Sequence, residues 1–487
     1  METLFWHDYE TFGRDPRRDP ASQFAGVRTD FELNDVGVPV QCYNRPTPDF
    51  LPDPFSCAIT GITPQHALQH GLSEVEFCAR IHHEISKPGT CSVGYKSVGF
   101  DDEVTRGLLY RNFYDPYERE WKHGNSRWDL IDVLRMAQAL RPEGVQWPLK
   151  EDGSPSFALE ALTKANGIEH EGAHDALADV RATIALARLV RTKQRKLYDY
   201  LFKLRHKDQV RQLLNLNNKI PVVYVSGIFA ASRGCLGIAL PLCRHPDNEN
   251  GVLVVDLRAD PSLLLELDAA ELRRRLFQAS AERPEGEERI PITTIHINRC
   301  PALAPLSVLT DSVLRRHRMD LTVIEKRRQK IQANAALVHR LQQVFADAER
   351  PKINNVDMML YSGGFFGDHD RRVMQKIRDS EPEHLPSLAP ECQDPRLPEL
   401  LFRYRARNFP ESLNESEKKQ WQEHCRNRLL GGIPGAGVSL AEFRRLLSGG
   451  EISIPPALQQ SLVVYAEELA ARCGLADNVA KSPALSP

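Results

Sequence analysis

The sequence predicts an α/β domain at its N-terminal side, followed by a β-rich domain and a mainly helical domain. Three observations lead to this fold class. Strand-like and helical segments alternate over residues 1–192, which is the order found in α/β folds. Runs of β-branched residues recur over residues 196–349, and helical spacing dominates residues 352–475. Residues 476–487 are rich in Ser, Pro and Ala, so we expect a disordered tail there.

The composition is that of an ordinary soluble globular protein. The chain has 487 residues, 41% of them hydrophobic and 26% charged, and this length predicts two or three domains. No apolar run approaches the roughly 18 residues of a membrane span, and the first residues do not resemble a secretory signal. We therefore expect a cytoplasmic protein. The ten cysteines form no C-x-x-C pair, which predicts reduced thiols and argues against a zinc site and a disulfide framework.

The charge gives a mixed indication about nucleic-acid binding. A net charge of −2 does not by itself favour it. Basic residues nevertheless gather in two stretches, at 191–211 and 315–330. Each stretch is explained either by a phosphate-binding surface or by a solvated helix face, and the second explanation is the commoner one for a single charge run.

The first predicted strand spans residues 4–12 and carries two carboxylates, Asp8 and Glu10. Because a strand points alternate side chains to the same face, both carboxylates project from one side. Such a pair suits a metal site, although a lone pair of this kind is also typical of an edge strand with a polar face in water. The next elements are strands at 23–30 and 37–43 in an antiparallel meander, a helical segment at 63–85, a short buried strand at 91–95 and a helix from 101 to 110.

The end of the α/β segment contains a second group of polar residues. A short helix at 160–165 is followed by Gly167, and Asp175 can cap a helix that runs to Val190. Positions five residues apart do not share a helix face. His174 is therefore expected before this helix and Asp179 inside its first turns.

The remaining segments predict the β-rich and helical domains. Strands are expected at 221–226, 251–257 and 290–298, with a turn at 245–250, and helical spacing begins at Arg315. Residues 400–407 alternate apolar residues with arginines. This segment is either a helix whose arginines bind phosphate or a helix whose arginine face is simply solvated.

Four carboxylates and one histidine form a candidate catalytic set: Asp8, Glu10, Asp101, Asp179 and His174. All-oxygen ligands favour hard divalent cations such as Mg²⁺ or Mn²⁺. Two such ions can clamp the attacking and leaving oxygens of a phosphoryl displacement. Histidine can act as a base near neutral pH. This chemistry points to phosphodiester hydrolysis.

These motifs resemble those of a known superfamily. Asp8-Tyr9-Glu10, Phe100-Asp101 and His174-x-x-x-x-Asp179 are similar to the three motifs of DEDD-type 3′-5′ exonucleases, in the branch with histidine in the third motif. Five longer stretches resemble the bacterial exodeoxyribonuclease I family over nearly the whole chain. They are His7–Gly13, Phe100–Arg106, Tyr110–Tyr117, Thr163–His170 and Tyr404–Pro410.

The resemblance implies a ribonuclease H-like exonuclease domain, an SH3-like β domain and an α-helical C-terminal domain. It further implies a processive exonuclease that degrades single-stranded DNA from the 3′ end, releases 5′-mononucleotides and acts in DNA repair and recombination. The four carboxylates would bind two Mg²⁺ ions, for which Mn²⁺ can substitute, His174 would be the base, and Glu10 would also lie against the terminal nucleotide. The family also implies docking of the acidic C-terminal tail of single-stranded DNA-binding protein. We expect a monomer, since a clamp built from three domains of one chain needs no second subunit.

Further residues are expected to bind the DNA strand, because aromatic rings stack on bases and cations bind phosphates. The resemblance favours Arg106, Tyr117, Trp121, Arg135, Lys207, Asn250 and Asn298. Core packing is the alternative role for Tyr117 and Trp121, and it is the favoured role for Trp128.

Two departures from the family pattern concern the terminal nucleotide. Lys96-Ser97 stand where the family usually has asparagines, and Ala158 stands where it has an arginine. Two other functions stay open at this point: an exoribonuclease of the same superfamily, and a nucleic-acid-binding scaffold without catalysis. Retention of all five candidate catalytic residues argues against the scaffold.

Overall fold

The structure is a computed structural model, which describes residues 2–172, 174–278, 282–346, 353–433, 435–449 and 454–475. The predicted tail at 476–487 lies outside these residues. The chain forms two compact units. The first contains Met1–Asn125, Glu171–Arg181 and Lys352–Pro487, and the second contains Ser126–His170 and Ala182–Pro351. The boundaries of the three domains predicted from sequence stay a prediction.

The strands and helices of the described residues are numbered in chain order. The strands are β1 Thr3–Thr11, β2 Ala21–Thr29, β3 Val40–Tyr43, β4 Thr90–Gly94, β5 Ser126–Asp129, β6 Val222–Val225, β7 Leu236–His245, β8 Asn248–Asp256, β9 Ile292–His296 and β10 Ala302–Pro305. The helices are α1 Pro54–Thr60, α2 Pro64–His70, α3 Glu74–Ile85, α4 Asp101–Arg111, α5 Leu130–Leu140, α6 Leu159–Ala165, α7 Ala176–Lys193, α8 Arg195–Lys203, α9 Lys207–Leu213, α10 Ser262–Glu266, α11 Ala269–Phe277, α12 Asp311–Arg316, α13 Leu321–Ala333, α14 Leu337–Ala346, α15 Asp368–Asp379, α16 Arg396–Asn408, α17 Glu415–Leu429, α18 Leu440–Ser448 and α19 Pro456–Arg472.

The sheet of the first unit confirms the predicted meander. Strand β1 pairs antiparallel with β2, and β2 pairs antiparallel with β3. On its other side β1 pairs in parallel with β4. Strand β1 is therefore an interior strand, and Leu4, Phe5 and Trp6 are at most 1% exposed. The alternative of an edge strand with its polar face in water is wrong.

The helical segment predicted at 63–85 is two helices, α2 and α3. Thr63 caps α2, and the helix ends before Gly71. Ser73 then starts α3 with a capping box, in which its side chain accepts from the backbone of Glu76 and the Glu76 side chain accepts in return. This Ser-x-x-Glu pattern is a sequence signal for a helix start. The predicted helical segment did not include this boundary.

The sheet of the second unit has the order β10-β6-β7-β8-β9, and its neighbouring strands are antiparallel. Two of these strands, β7 and β10, were not predicted. The turn expected at 245–250 is shorter, because Asn248 already belongs to β8. Trp128 is 2% exposed and meets the rings of Tyr198 and Phe202 edge-on at 5.0 Å. This packing confirms its expected core role.

The C-terminal helices share hydrophobic cores with the N-terminal strands and helices of the same unit. One core joins Phe12 and Phe50 to Phe443 and Tyr465. A second joins Tyr110 and Phe113 to residues that include Leu400 and Tyr404. Residues far apart in sequence are therefore packed as one body within this unit.

The arginines of α16 have a role that neither sequence interpretation foresaw. Arg403 and Arg407 are both paired with the buried Asp357, and Arg407 is also paired with Asp49. Arg405 is paired with Glu417. The three arginines are at most 9% exposed in their side chains. They form buried ion pairs inside the protein and present neither a phosphate-binding surface nor a solvated face.

Two expectations from composition concern cysteines and membranes. All ten cysteines are free thiols, and most are buried. The prediction of reduced thiols that fill the core is confirmed. Among the described residues, no helix combines the length and apolar character needed to cross a membrane.

Candidate active site

The first part of the candidate site is the face of β1 that carries Asp8 and Glu10. Glu10 lies opposite Gln23 in the register of β1 with β2. Asp101 is the first residue of α4 and is 2% exposed. One of its carboxylate oxygens accepts from the backbone N–H of Tyr9 at 3.1 Å. This bond holds the Asp101 carboxylate beside β1.

The second part is the start of α7. His174 precedes the helix and has a φ of 68°, in the left-handed region. Asp179 lies within the first turn of the helix, as the sequence predicted. A ring nitrogen of His174 and carboxylate oxygens of Glu10 and Asp179 all lie within 4.8 Å of one another. His174 is exposed, whereas the two carboxylates are half-buried. The fold thus gathers all five predicted residues from three separate segments.

The carboxylates strongly disfavour one another's charge. Burial raises the pKa of Asp8 well above its usual range, and the charges of Asp101, Glu10 and Asp179 raise it further. Burial, followed by Asp179 and Asp101, raises the pKa of Glu10 to about 8. A bound cation would relieve this repulsion. The donor set therefore fits hard divalent cations, which prefer clustered oxygen ligands.

Burial of Glu10, together with this repulsion, predicts that Glu10→Gln changes the stability of the protein. The unfolded Glu10 side chain ionises near pH 4.5, whereas the folded one keeps its proton up to about pH 8. The unfolded state is thus favoured increasingly as pH rises between these values. In EDTA at pH 8, Glu10→Gln should have a higher Tm than the unaltered protein, and the gain should vanish near pH 4. Scanning fluorimetry at both pH values measures this. A lower Tm at pH 8 in EDTA would contradict the proposed repulsion.

Arg106, predicted to bind DNA, lies in an acidic environment. Its side chain is 5% exposed. Its guanidinium makes two hydrogen bonds to Glu120, at 2.8 and 3.0 Å, and one to Glu103 at 2.9 Å. It also donates to the hydroxyl of Tyr361 at 3.3 Å. The sequence could not show that carboxylates already surround this cation.

An aromatic surface lies beside Arg106 in the same unit. The ring of Tyr117 lies 5.5 Å from the Arg106 guanidinium and meets Phe365 edge-on at 5.6 Å. Trp121 is 65% exposed and Phe365 is 81% exposed. The core-packing alternative for Trp121 is therefore wrong. Sequence reasoning missed Phe365 and Tyr361, although aromatic residues set among glycines at 361–367 were a usable signal.

The other predicted DNA contacts lie in the second unit. Lys207 is exposed at the start of α9. Arg135 is paired with Asp132 at 2.7 Å. The carbonyl of Asn250 accepts from the N–H of Ile297 at 2.8 Å, so the backbone of Asn250 lies beside the residue that precedes Asn298. Their role in DNA binding stays a prediction.

The two departures from the family pattern also have local explanations. Lys96 has a φ of 64°, a left-handed conformation in which asparagine is enriched. Ser97 is 2% exposed, and its side chain faces Gly94, where an added Cβ would come within 2.6 Å. Ala158 precedes α6 and gives it no side-chain cap. The metal-binding candidates are unaffected by these changes.

Three protein-family models match the chain in order. The model described as Exonuclease matches residues 5–187, the Exonuclease I SH3-like domain matches residues 205–347, and the Exonuclease I C-terminal domain matches residues 354–451. These matches confirm the predicted fold class. They cover an α/β exonuclease domain, an SH3-like domain and a C-terminal domain that is helical here.

Curated and solved proteins agree with these matches. Exodeoxyribonuclease I of Escherichia coli (strain K12) is 48% identical over 433 residues, which cover 88% of this chain and 90% of the relative. The structure of a moderately thermophilic exonuclease I from Methylocaldum szegediense has a TM-score of 0.91 and 47% identity, over 96% of this chain and 100% of the other. A zinc-bound structure of the E. coli enzyme with single-stranded DNA has a TM-score of 0.90 and 44% identity, over 96% and 100%. Identity at this level over most of both chains shows that the chain belongs to the exodeoxyribonuclease I family.

Proposed function

We propose that this chain, which is an exonuclease by its family, degrades single-stranded DNA from the 3′ end and releases 5′-mononucleotides processively. The observation that supports this proposal most directly is the convergence of four carboxylates and His174 at the end of β1 and the start of α7. The E. coli relative has been solved with single-stranded DNA. We extend that ligand to this chain. Roles in DNA repair and recombination follow from the same family.

The proposed reaction assigns a task to each group of residues. Asp8, Glu10, Asp101 and Asp179 would hold two divalent cations, Mg²⁺ in our proposal with Mn²⁺ as a substitute. When bound, the two ions supply positive charge to the attacking and leaving oxygens of an in-line displacement. His174 takes the proton from the attacking water. Its exposed position before α7 leaves it accessible to that water. Glu10 also borders the terminal nucleotide.

In each unit, separate side chains are proposed to contact the DNA strand: cations, aromatic rings and two asparagines. In the first unit these are Arg106, Tyr117 and Trp121, and Phe365 adds an exposed ring beside them. In the second unit they are Arg135, Lys207, Asn250 and Asn298. A phosphate near Arg106 would have to compete with Glu120 for the guanidinium.

Trp121→Ala is expected to weaken binding of an oligothymidine strand by about 5- to 150-fold. The reason is the loss of one stacked base, worth about 1 to 3 kcal/mol. Fluorescence anisotropy in EDTA measures binding without cleavage. Trp121→Phe keeps an aromatic face and should retain most of the affinity. Equal affinity for Trp121→Ala and the unaltered protein would remove Trp121 from the DNA path.

An exoribonuclease of the same superfamily is the alternative function, because two-metal chemistry does not involve the 2′-position. Membership of the exodeoxyribonuclease I family favours DNA. The test is an assay with 3′- and 5′-labelled single-stranded DNA, duplex DNA and RNA, with and without Mg²⁺. Loss of the 3′ label first from single-stranded DNA, only with metal, supports the proposal. Preferential degradation of RNA would favour the alternative.

The partners and location predicted from sequence also remain proposals. We propose that the acidic C-terminal tail of single-stranded DNA-binding protein docks on the chain, without assigning the pocket. The monomeric state is proposed because a clamp built from three domains of one chain needs no second subunit, and the cytoplasmic location is also proposed. Light scattering at micromolar concentration tests the monomeric state.

A further inference from the structure

Two side chains outside the proposed catalytic set connect β2 to the start of α7. Gln23 is 1% exposed and lies opposite Glu10. Its amide nitrogen donates to a carboxylate oxygen of Asp175 at 2.8 Å, and its amide oxygen accepts from the backbone N–H of Ala176 at 3.0 Å. The two ends of one buried amide thus bind the residue before α7 and the first residue of α7.

Asp175 extends this connection into the helix. Its other carboxylate oxygen accepts from the N–H groups of Leu177 and Ala178 at 3.1 and 3.2 Å, which caps the helix. Its backbone carbonyl accepts from the N–H of Asp179 at 3.0 Å. Asp175 also directly follows His174. Any movement of Asp175 therefore moves both His174 and Asp179 relative to β1.

The chemistry of this connection is specific. Ala176 N–H needs an acceptor, and the Asp175 carboxylate needs a donor. The Gln23 amide satisfies both at once, so its orientation is set by its two partners. A glutamate at position 23 would set two carboxylates against each other. An asparagine at position 175 would bring a donor against the donor of Gln23.

We propose that Gln23 is a positioning residue, which together with Asp175 holds His174 and Asp179 at the distance from Glu10 that metal binding and hydrolysis require. This inference rests on the catalytic set in the proposed function. It adds a residue from β2, whose side chain touches neither metal nor DNA in the proposed reaction. The clamp formed by Gln23 and Asp175 explains why a buried polar residue stands beside the carboxylates.

A donor and acceptor exchange tests the clamp. Gln23→Glu and Asp175→Asn should each lower kcat on single-stranded DNA by about 10²-fold, the cost of a displacement near 1 Å. Each should also raise the Mn²⁺ concentration for half-maximal binding, measured by titration calorimetry. The double variant restores one donor facing one acceptor and the original net charge. It should recover kcat and Mn²⁺ affinity to within about fivefold of the unaltered protein.

Controls separate positioning from general stability. Gln41→Ala removes only an exposed 3.1 Å bond to the same Asp175 oxygen and should keep kcat within about twofold. Tm is measured for every variant. If Gln23→Glu does not fold, Gln23→Met, which is close in size and lacks both polar groups, replaces it and should show the same loss of kcat.

The outcomes distinguish the clamp from the proposed function. Full kcat in both single variants, or losses that simply multiply in the double variant, would overturn the clamp. Losses of kcat with unchanged Mn²⁺ affinity and a matching fall in Tm would assign Gln23 a purely structural role and also overturn it. Asp179→Asn is measured alongside. An active Asp179→Asn variant would overturn the proposed catalytic set itself, whatever the clamp variants show.

Discussion

Asp179→Asn is expected to lose Mn²⁺ binding and hydrolysis together, whereas His174→Ala is expected to keep the metal and lose the reaction. Asp179 contributes charge to a site in which several carboxylates face one another, so its neutralisation removes part of the attraction for two divalent cations. His174 contributes none of this negative charge. Its loss should lower the rate by about 10²- to 10⁴-fold, as is typical for removal of a general base.

The structure also allows a different role for His174, as a metal ligand and not a base. The ring nitrogen of His174 is close enough to Glu10 and Asp179 to act as a third ligand of one metal ion. Titration calorimetry with Mn²⁺ and single-turnover rates across pH separate the two roles. A base requires that His174→Ala keeps Mn²⁺ affinity and loses most of the rate.

The control is His70→Ala, which replaces an exposed histidine of α2 outside the candidate set. It should leave both Mn²⁺ affinity and rate unchanged. If His174→Ala loses metal as severely as Asp179→Asn, His174 is a ligand. If it keeps its rate, the proposed mechanism requires a different base.

Asp49→Asn is expected to destabilise the first unit by about 3 to 5 kcal/mol, the usual cost of removing one partner from a buried ion pair. The Asp49 side chain is fully buried and binds Arg407 at 2.9 Å and Arg428 at 2.6 Å. Burial alone would raise the pKa of Asp49. The two arginines nevertheless hold it well below its usual range. The variant leaves both guanidinium groups buried with less counter-charge.

The low pKa of Asp49 also determines how the destabilisation by Asp49→Asn depends on pH. The carboxylate stabilises the fold above the pKa of its unfolded form, and this contribution is lost as pH falls toward the lower folded value. The difference in unfolding free energy between Asp49→Asn and the unaltered protein should therefore be full at pH 7 and shrink in acid. Urea unfolding at pH 7 and at about pH 2.5, which is below the ordinary pKa of 3.8, measures it. Glu415→Gln is the control, because Glu415 is 84% exposed in its pair with Lys418 and should contribute less than about 1 kcal/mol. A change equally small for Asp49→Asn would contradict the proposed role of the buried pair.

This network changes what a truncated protein is expected to do. A fragment ending near Arg195 would contain all five candidate catalytic residues. In the structure, Phe12, Phe50 and Tyr110 belong to cores completed by residues after 350. Such a fragment would expose these side chains to water, so we expect it to misfold. Processivity is better tested by substitutions on the DNA path, in the presence of a trap of unlabelled DNA.

The sequence by itself determined the features that depend on near neighbours. Strand alternation placed Asp8 and Glu10 on one face, and the capping role of Asp175 placed His174 before α7 and Asp179 inside it. The long motif matches identified the family. The prediction missed strands β7 and β10 because their local sequence patterns are weak. Pro241 interrupts the pattern of β7 beside a register shift, and β10 is four residues long.

Only the tertiary structure decided which distant groups meet. Arg407 and Asp49 are 358 positions apart in sequence, and Gln23 and Asp175 are 152 apart. The sequence does not show whether an arginine faces phosphate, water or a buried carboxylate. Its partner depends on which segments pack beside it in the folded protein. Arg106 and Arg407 both proved to lie among carboxylates for this reason. Short-range periodicity and capping fix local structure, whereas the partner of a long charged side chain is fixed by packing between segments that are remote in the chain.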